Sequence, residues 1–130
     1  MQKNRKREVG DFGERCSAKY LQNKGYTIVE RNYRTKHGEV DIIAEDEKYI
    51  AFVEVKTRKI NSLVRPILAV NREKQRKLIT TAFFYLREHK ITKQPRFDIV
   101  EVLYDEQNKK HVLIRHIPNA FIQEGDYAPF

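Results

Sequence analysis

The sequence has one cysteine, Cys16, no tryptophan and no long apolar run. A single cysteine excludes an intramolecular disulfide and a cysteine-rich zinc site, and it fits a reducing cytoplasm. No apolar stretch approaches the roughly 20 residues that cross a bilayer. The basic start, Met1–Arg7, leads into no hydrophobic segment of the kind found in secretory signals. The sequence therefore predicts a cytoplasmic protein without a membrane partner, and its scattered histidines have no zinc-binding spacing.

Positive charge exceeds negative charge across the chain. There are 26 Lys and Arg residues against 18 Asp and Glu residues, which gives a formal net charge of +8. Because Lys and Arg displace the counterions of a phosphate backbone, this balance favours a polyanionic partner such as nucleic acid. The alternative is a protein that is basic for other reasons. The length of 130 residues suits one domain.

Hydrophobic periodicity predicts an α/β domain. Apolar residues have helical spacing from Val9 to Lys24, with Glu14 at the edge of the packed face and Gly25 as the stop. A second helix is predicted from its N-cap, Asn71, to about His89. The predicted strands are residues 26–32, 39–45, 49–57, 96–104 and 111–117. Helices and strands in this order favour a small mixed sheet flanked by helices, with residues 1–8 as a flexible basic start and 123–130 as a tail.

Three charged residues on neighbouring strands are predicted to meet. Glu54 and Lys56 are two residues apart, so their side chains share one face of a strand. A hairpin turn centred between Glu47 and Lys48 would place Asp41 opposite Glu54. The same register gives two further pairs, Glu45 with Ile50 and Ile43 with Phe52. A slip of one residue would send Asp41 to the other face.

Two carboxylates and an ammonium group at one spot suit a divalent metal beside a phosphodiester. Mg²⁺ or Mn²⁺ takes oxygen ligands, which Asp41, Glu54 and the carbonyl of Val55 would supply. Lys56 would orient an attacking water or stabilise developing charge, and Glu14 would hold a water or a second cation. The alternative is a pair of solvated surface acids. Against it, the acids lie within strongly apolar strands, where an unpaired charge is costly.

Several short motifs occur together between residues 9 and 122. They are Gly13-Glu14, Arg31-Asn32, Gly38–Ala44, Phe52–Lys56, Arg58, Ala69-Val70, Lys74, Arg96–Asp98 and His116–Phe121. In this combination the chain resembles the UPF0102 (YraN-like) family, which is similar to the PD-(D/E)XK nucleases and, among them, to archaeal Holliday-junction resolvases. The resemblance implies a restriction-endonuclease-like core of αβββαβ order over residues 9–122. It also implies Mg²⁺-dependent hydrolysis of phosphodiester bonds.

The resemblance also assigns roles to positions of this sequence. The aspartate of the nuclease motif falls on Asp41, the (D/E)XK triplet on Glu54–Lys56, and the helix glutamate on Glu14. The polar residue that the second core helix often adds falls on Gln75. Residues 61–68 depart from the family, because they lack its usual acidic residue, although this does not affect the proposed metal ligands.

Basic and polar residues around the cluster are the predicted contacts to nucleic acid. They are Arg34, Arg58, Lys59, Arg72, Lys74 and Gln75. The first hypothesis is a Mg²⁺- or Mn²⁺-dependent endonuclease acting on DNA, with branched or structured DNA as one substrate class. The second is a non-catalytic nucleic-acid-binding protein with a nuclease-like fold, and the third is a scaffold that binds another partner. Cleavage of a junction requires two active sites, which a homodimer would supply.

Overall fold

The fold is a five-stranded mixed sheet with two helices. The computed structural model describes residues 2–60, 70–105, 107 and 112–121. Its elements are α1 (Gln2–Asn23), β1 (Thr27–Thr35), β2 (Gly38–Glu45), β3 (Tyr49–Lys59), α2 (Arg72–Glu88), β4 (Gln94–Tyr104) and β5 (Val112–Ile117). The strands lie in the order β1-β2-β3-β4-β5. Only β3 and β4 of these are parallel, and the other neighbours are antiparallel. The predicted α/β class and restriction-endonuclease-like core are confirmed.

The two helices cover opposite faces of the sheet. Phe52 of β3 packs in one core cluster with Leu78 and Ile79 of α2. Its neighbour Val53 packs in a second cluster with Leu21 of α1. Because successive side chains of a strand point to opposite faces, β3 is apolar on both sides. Among the described residues, no helix is long and apolar enough to cross a membrane.

The predicted end of α1 at Gly25 and the predicted start of α2 at Asn71 are both confirmed. At the end of α1, the N–H of Gly25 donates to the carbonyl of Gln22 and the N–H of Tyr26 donates to the carbonyl of Leu21. This is the Schellman arrangement, and Gly25 supports it with a φ of 100°. At the start of α2, the side chain of Asn71 accepts the N–H of Lys74. The sequence signals at these ends therefore act through specific backbone hydrogen bonds.

The first helix differs from its prediction at its start and in its buried face. It begins at Gln2 and so includes most of the segment predicted as a flexible start, because Lys, Arg and Gln are good helix formers without any burial. Glu14, Ser17 and Leu21 are buried, whereas Cys16 is only partly buried. Residues 61–68 and the predicted tail lie outside the described residues.

A polar network around the fully buried Asp98 ties β4 to β5. Asp98 Oδ2 accepts hydrogen bonds from Arg96 Nη2 and His116 Nε2, both at 2.7 Å. Asp98 Oδ1 accepts from Arg96 Nε and from the N–H of Asn119, both at 2.9 Å. Lys24 Nζ lies 3.1 Å from Nδ1 of His116 and can only donate, so Nε2 carries the proton given to Asp98. Burial raises the pKa of Asp98, but these donors outweigh it and the pKa lies below its ordinary value.

Removing the Asp98 carboxylate should destabilise the fold strongly. The change Asp98→Ala leaves Arg96 and His116 without their acceptor, and we expect a loss of about 3–5 kcal/mol in the free energy of unfolding. Urea unfolding followed by circular dichroism measures this loss. The control is Glu88→Gln, whose side chain is 65% exposed, with an expected change within about 0.5 kcal/mol. An equal, small effect of both changes would contradict the structural role of Asp98.

Candidate active site

Strands β2 and β3 separate at the end of their hairpin that lies away from the turn. Their ladder has the predicted register, with the pairs Ile42–Val53, Ile43–Phe52, Ala44–Ala51 and Glu45–Ile50. It stops one residue before the expected pair of Asp41 and Glu54. Instead, Asp41 Oδ2 accepts a hydrogen bond of 2.8 Å from the N–H of Val55. The carboxylate thus gives Val55 the acceptor that a neighbouring strand would otherwise supply.

A local distortion of β1 and β2 accompanies this hydrogen bond. Val40 packs in the same core cluster as Ile43, whereas Ile42 packs in the other cluster. In a regular strand Val40 and Ile42 would share a face, so the alternation of β2 shifts at Asp41. Opposite Asp41, Asn32 of β1 has a φ of 55°, in the left-handed region that Asn tolerates better than most residues. The shift turns the Asp41 carboxylate towards β3.

Glu54 carries two ammonium neighbours on the face covered by α2. Its Oε1 lies 3.4 Å from Lys56 Nζ and 3.2 Å from Lys74 Nζ. Lys56 is on the same strand and its side chain is 19% exposed, whereas the side chain of Lys74 is 47% exposed. Lys74 belongs to the first turn of α2, where Asn71 Oδ1 accepts its backbone N–H at 2.9 Å. The predicted Glu54–Lys56 pair is therefore joined by a third residue from the helix.

Helix α1 brings Glu14 to the sheet from the opposite face. The helix approaches β3 closely at Gly13, where a Cβ atom would lie 1.8 Å from Thr57 Oγ1. The next residue, Glu14, is buried, and its Oε1 lies 3.4 Å from Arg31 Nη2. The side chain of Asn32 also acts on this carboxyl group and opposes the rise in its pKa. A side chain at Gly13 would push α1 away and move Glu14 with it.

Burial shifts the pKa values of Asp41, Glu14 and Lys56 towards their uncharged forms. Burial, followed by repulsion from Glu54, raises the pKa of Asp41 to about 7, although the hydrogen bond from Val55 opposes the shift. Burial also raises the pKa of Glu14, whose charge contributes to the shift of Asp41. Burial lowers the pKa of Lys56. An additional positive charge near Asp41 and Glu14 would therefore stabilise their ionised forms and lower their pKa values.

The predicted basic contacts on the sheet lie on strands β1 and β3. Arg34 of β1 is exposed, and its Nε lies 2.9 Å from Glu39 Oε2. Arg58 and Lys59 lie in β3, which continues two residues beyond its predicted end. The parallel pairing with β4 holds these last two positions in the sheet. These three basic residues are therefore carried on regular strands.

The predicted contacts on α2 take different roles in its first turn. Arg72 is exposed at the helix start. Gln75 Nε2 donates to the carbonyl of Val70 at 2.8 Å, so its amide bonds to the chain before the helix. Lys74 Nζ lies 3.2 Å from Glu54 Oε1, so this lysine contacts the predicted cluster.

Three residues near the cluster were not among the predicted site residues. Arg31 and Asn32 contact Glu14, and their only sequence signal was their place in a family motif. Glu101 of β4 is 3% exposed and lies beside Lys56 in the β3–β4 ladder. An acidic residue inside the apolar run Ile99–Val102 was a usable sequence signal for Glu101.

The acidic side chains do not by themselves form a complete metal site. Within the part of the chain that the structure describes, no three His, Cys, Asp or Glu side chains are arranged to hold a metal ion. Asp41 and Glu54 would thus be two side-chain ligands, with the carbonyl of Val55 as a third donor. Mg²⁺ usually retains several waters and needs only one or two carboxylates from a protein.

Comparisons with known proteins identify the family of the chain. The profile of the uncharacterised protein family UPF0102 matches residues 13–102. A UPF0102 protein of Alkaliphilus metalliredigens is 46% identical over 116 residues, covering 88% of this chain and 98% of the relative. A UPF0102 protein of Caldanaerobacter subterraneus is 42% identical over 122 residues, covering 93% of this chain and 100% of the relative. The chain belongs to the UPF0102 family.

Proposed function

We propose that this protein is a Mg²⁺- or Mn²⁺-dependent endonuclease that hydrolyses phosphodiester bonds of DNA. The observation that carries the proposal is the hydrogen bond from Val55 N–H to Asp41 Oδ2. It holds the partly buried Asp41 carboxylate between two separating strands, where the charge of Glu54 helps to raise the pKa of Asp41. Glu54 in turn lies 3.4 Å from Lys56. Two acids and a lysine in this relation suit metal-assisted hydrolysis of a phosphodiester.

The donor set fits a hard divalent cation. Asp41 and Glu54 offer carboxylate oxygens and Val55 offers a carbonyl, which are the donors that Mg²⁺ and Mn²⁺ prefer. Repulsion between the two acids contributes to the raised pKa of Asp41, and a cation held by both would remove it. Two carboxylates and one carbonyl also leave room for the waters that Mg²⁺ retains. We therefore assign Asp41, Glu54 and Val55 as the residues that would hold the ion.

The other residues of the cluster have roles that follow from their positions. When bound, the ion supplies positive charge beside the scissile phosphate and makes water more acidic. Lys56 would donate a hydrogen bond to the attacking water and orient it towards phosphorus. Because burial lowers the pKa of Lys56, its ammonium group gives up a proton more readily than an exposed lysine. Glu14 would hold a further water near Asp41 from the α1 side.

DNA is the proposed polyanion because the chain is basic and because Arg31, Lys56 and Lys74 contact the acids of the cluster. The chain has a net charge of +8, and phosphate contacts from such residues supply most sequence-independent affinity for DNA. The proposed contacts are Arg34, Arg58, Lys59, Arg72, Lys74 and Gln75. Glu14 and Glu54 would then be local exceptions in a basic surrounding, where they need a cation between themselves and the phosphate.

A specific observation also favours the non-catalytic alternative. Arg31 lies 3.4 Å from Glu14, and Lys56 and Lys74 both lie within 3.4 Å of Glu54. These cations compensate the acids without any metal. A nucleic-acid-binding protein of this kind would bind DNA with strong salt dependence, without requiring Mg²⁺ or Mn²⁺ and without releasing a cleaved product.

The decisive experiment is DNA cleavage by the unaltered protein and a Lys56→Ala variant. Branched, single-stranded and double-stranded DNAs are incubated with Mg²⁺ or Mn²⁺ and resolved by electrophoresis. We expect cleavage of at least one DNA and a loss of about 10²-fold or more in Lys56→Ala, since it lacks the group that orients water. Lys19→Ala, which removes an exposed lysine of α1, should cleave normally. Equal product from the unaltered protein and Lys56→Ala would sink the enzyme proposal.

The stability of the metal-free protein should fall as pH rises, through the carboxyl group of Asp41. Its pKa is about 7 in the folded protein against an ordinary value of 3.8. Between these values the folded state retains a proton that the unfolded state has released, so the free energy of unfolding decreases with pH. The variant Asp41→Asn does not titrate, although its amide oxygen can still accept the N–H of Val55.

Urea unfolding at about pH 5 and about pH 8 measures this difference. The free energy of unfolding should drop more between these conditions in the unaltered protein than in Asp41→Asn. Added Mn²⁺ should stabilise the unaltered protein more at the higher pH, because binding then displaces no proton. Parallel pH dependence of the two proteins would contradict the assignment of Asp41.

A further inference from the structure

We propose that Lys74 is a positioning residue that pairs with Glu54 in the metal-free protein and moves to a DNA phosphate when a divalent cation binds. This inference rests on the proposed nuclease function. It adds that binding of the divalent cation and binding of DNA are coupled. It starts from one carboxylate oxygen, Glu54 Oε1, with Lys56 Nζ at 3.4 Å and Lys74 Nζ at 3.2 Å. A divalent cation held by Glu54 would be repelled by both ammonium groups.

Lys74 is the residue that can leave, because its surroundings differ from those of Lys56. Its side chain is 47% exposed, whereas that of Lys56 is 19% exposed. Lys56 also belongs to a central strand paired with β4, so its direction is fixed by the sheet. Lys74 belongs to an exposed first turn whose backbone is held by Asn71. Its flexible four-carbon stem allows the ammonium group to swing into solvent while the helix stays in place.

The move would replace one ionic partner of Lys74 by another. In the metal-free protein Lys74 compensates the charge of Glu54, a task that a bound dication would take over. The released ammonium group would then be repelled by the dication and attracted by a nearby phosphate oxygen, with which it forms a charge-assisted hydrogen bond. Metal binding would thus strengthen DNA binding, and by linkage DNA would strengthen metal binding by the same factor.

Mn²⁺ affinity without DNA tests the competition. The free Mn²⁺ signal in electron paramagnetic resonance is titrated with the full chain and its variants. We expect Lys74→Gln to bind Mn²⁺ about tenfold more tightly than the unaltered protein, since one repelling charge is removed. Lys74→Arg keeps the charge and should restore the original affinity.

The matched control is Lys77→Gln on the same helix. Lys77 Nζ lies 3.8 Å from Glu73, so the change removes one positive charge from α2 while Lys74 keeps its contact with Glu54. Its Mn²⁺ affinity should stay within about twofold of the unaltered protein. An equal Mn²⁺ affinity of Lys74→Gln and Lys77→Gln would overturn the competition.

DNA binding tests the second role of Lys74. Fluorescence anisotropy measures binding of a duplex with a phosphorothioate backbone, which resists cleavage, with and without Mn²⁺. Mn²⁺ should tighten this binding in the unaltered protein and in Lys77→Gln, and clearly less in Lys74→Gln. The same tightening in all three proteins would overturn the move of Lys74 to phosphate.

The variant Asp41→Asn separates this inference from the proposed function. If Asp41→Asn binds Mn²⁺ as well as the unaltered protein, the proposed metal site is wrong and the role of Lys74 is overturned with it. If Asp41→Asn loses Mn²⁺ binding while Lys74→Gln behaves as Lys77→Gln, the metal site stands and only the role of Lys74 is overturned. Thermal unfolding of each variant checks that the fold is intact.

Discussion

The hydrogen bond between the N–H of Val55 and Oδ2 of Asp41 is the constraint on which the site depends. Without it, the backbone of β3 would lack an acceptor where β2 turns away, and an unpaired buried N–H is costly. With it, the Asp41 side chain takes the place of a backbone acceptor in the sheet, and its carboxylate must lie near Glu54. The separation of the strands also lets the charge of Glu14, from the α1 side, act on Asp41. Opposite faces of the sheet thus contribute to one cluster.

The cations that compensate this cluster come from three different elements. Arg31 of β1 lies beside Glu14, while Lys56 of β3 and Lys74 of α2 share Glu54. Each of these cations is more exposed than the carboxylate it contacts. The acids are therefore the inner part of the cluster and the cations the outer part. This order suits exchange at Glu54, because an ion or a phosphate arriving from solvent would meet the exposed Lys74 before it meets the carboxylate.

The sequence predicted the elements that have strong local signals. It did not predict contacts that depend on irregular strand geometry or on the packing of a helix against the sheet. Gly25 and Asn71 were read correctly because each makes its hydrogen bonds within a few residues. The hairpin register followed from side-chain alternation, which holds from the turn back along β2 to Ile42. Alternation then fails at Asp41, and no periodicity could predict that its carboxylate would bind the backbone of β3. The contact of Lys74 with Glu54 depends on how α2 crosses the sheet, which local patterns do not determine.

Two aspartates of this fold, the buried Asp98 and the partly buried Asp41, differ in the groups that surround their carboxylates. Asp98 has charged or polar donors on both oxygens, from Arg96, His116 and Asn119. These donors lower its pKa despite burial. Asp41 is partly buried, with one backbone donor and acidic neighbours, and its pKa is raised to about 7. An acid that the fold leaves under-compensated reduces stability, and such a residue is expected where a ligand completes the site. Burial acts to raise the pKa of both carboxyl groups, so the sign of the surrounding charge is what separates them.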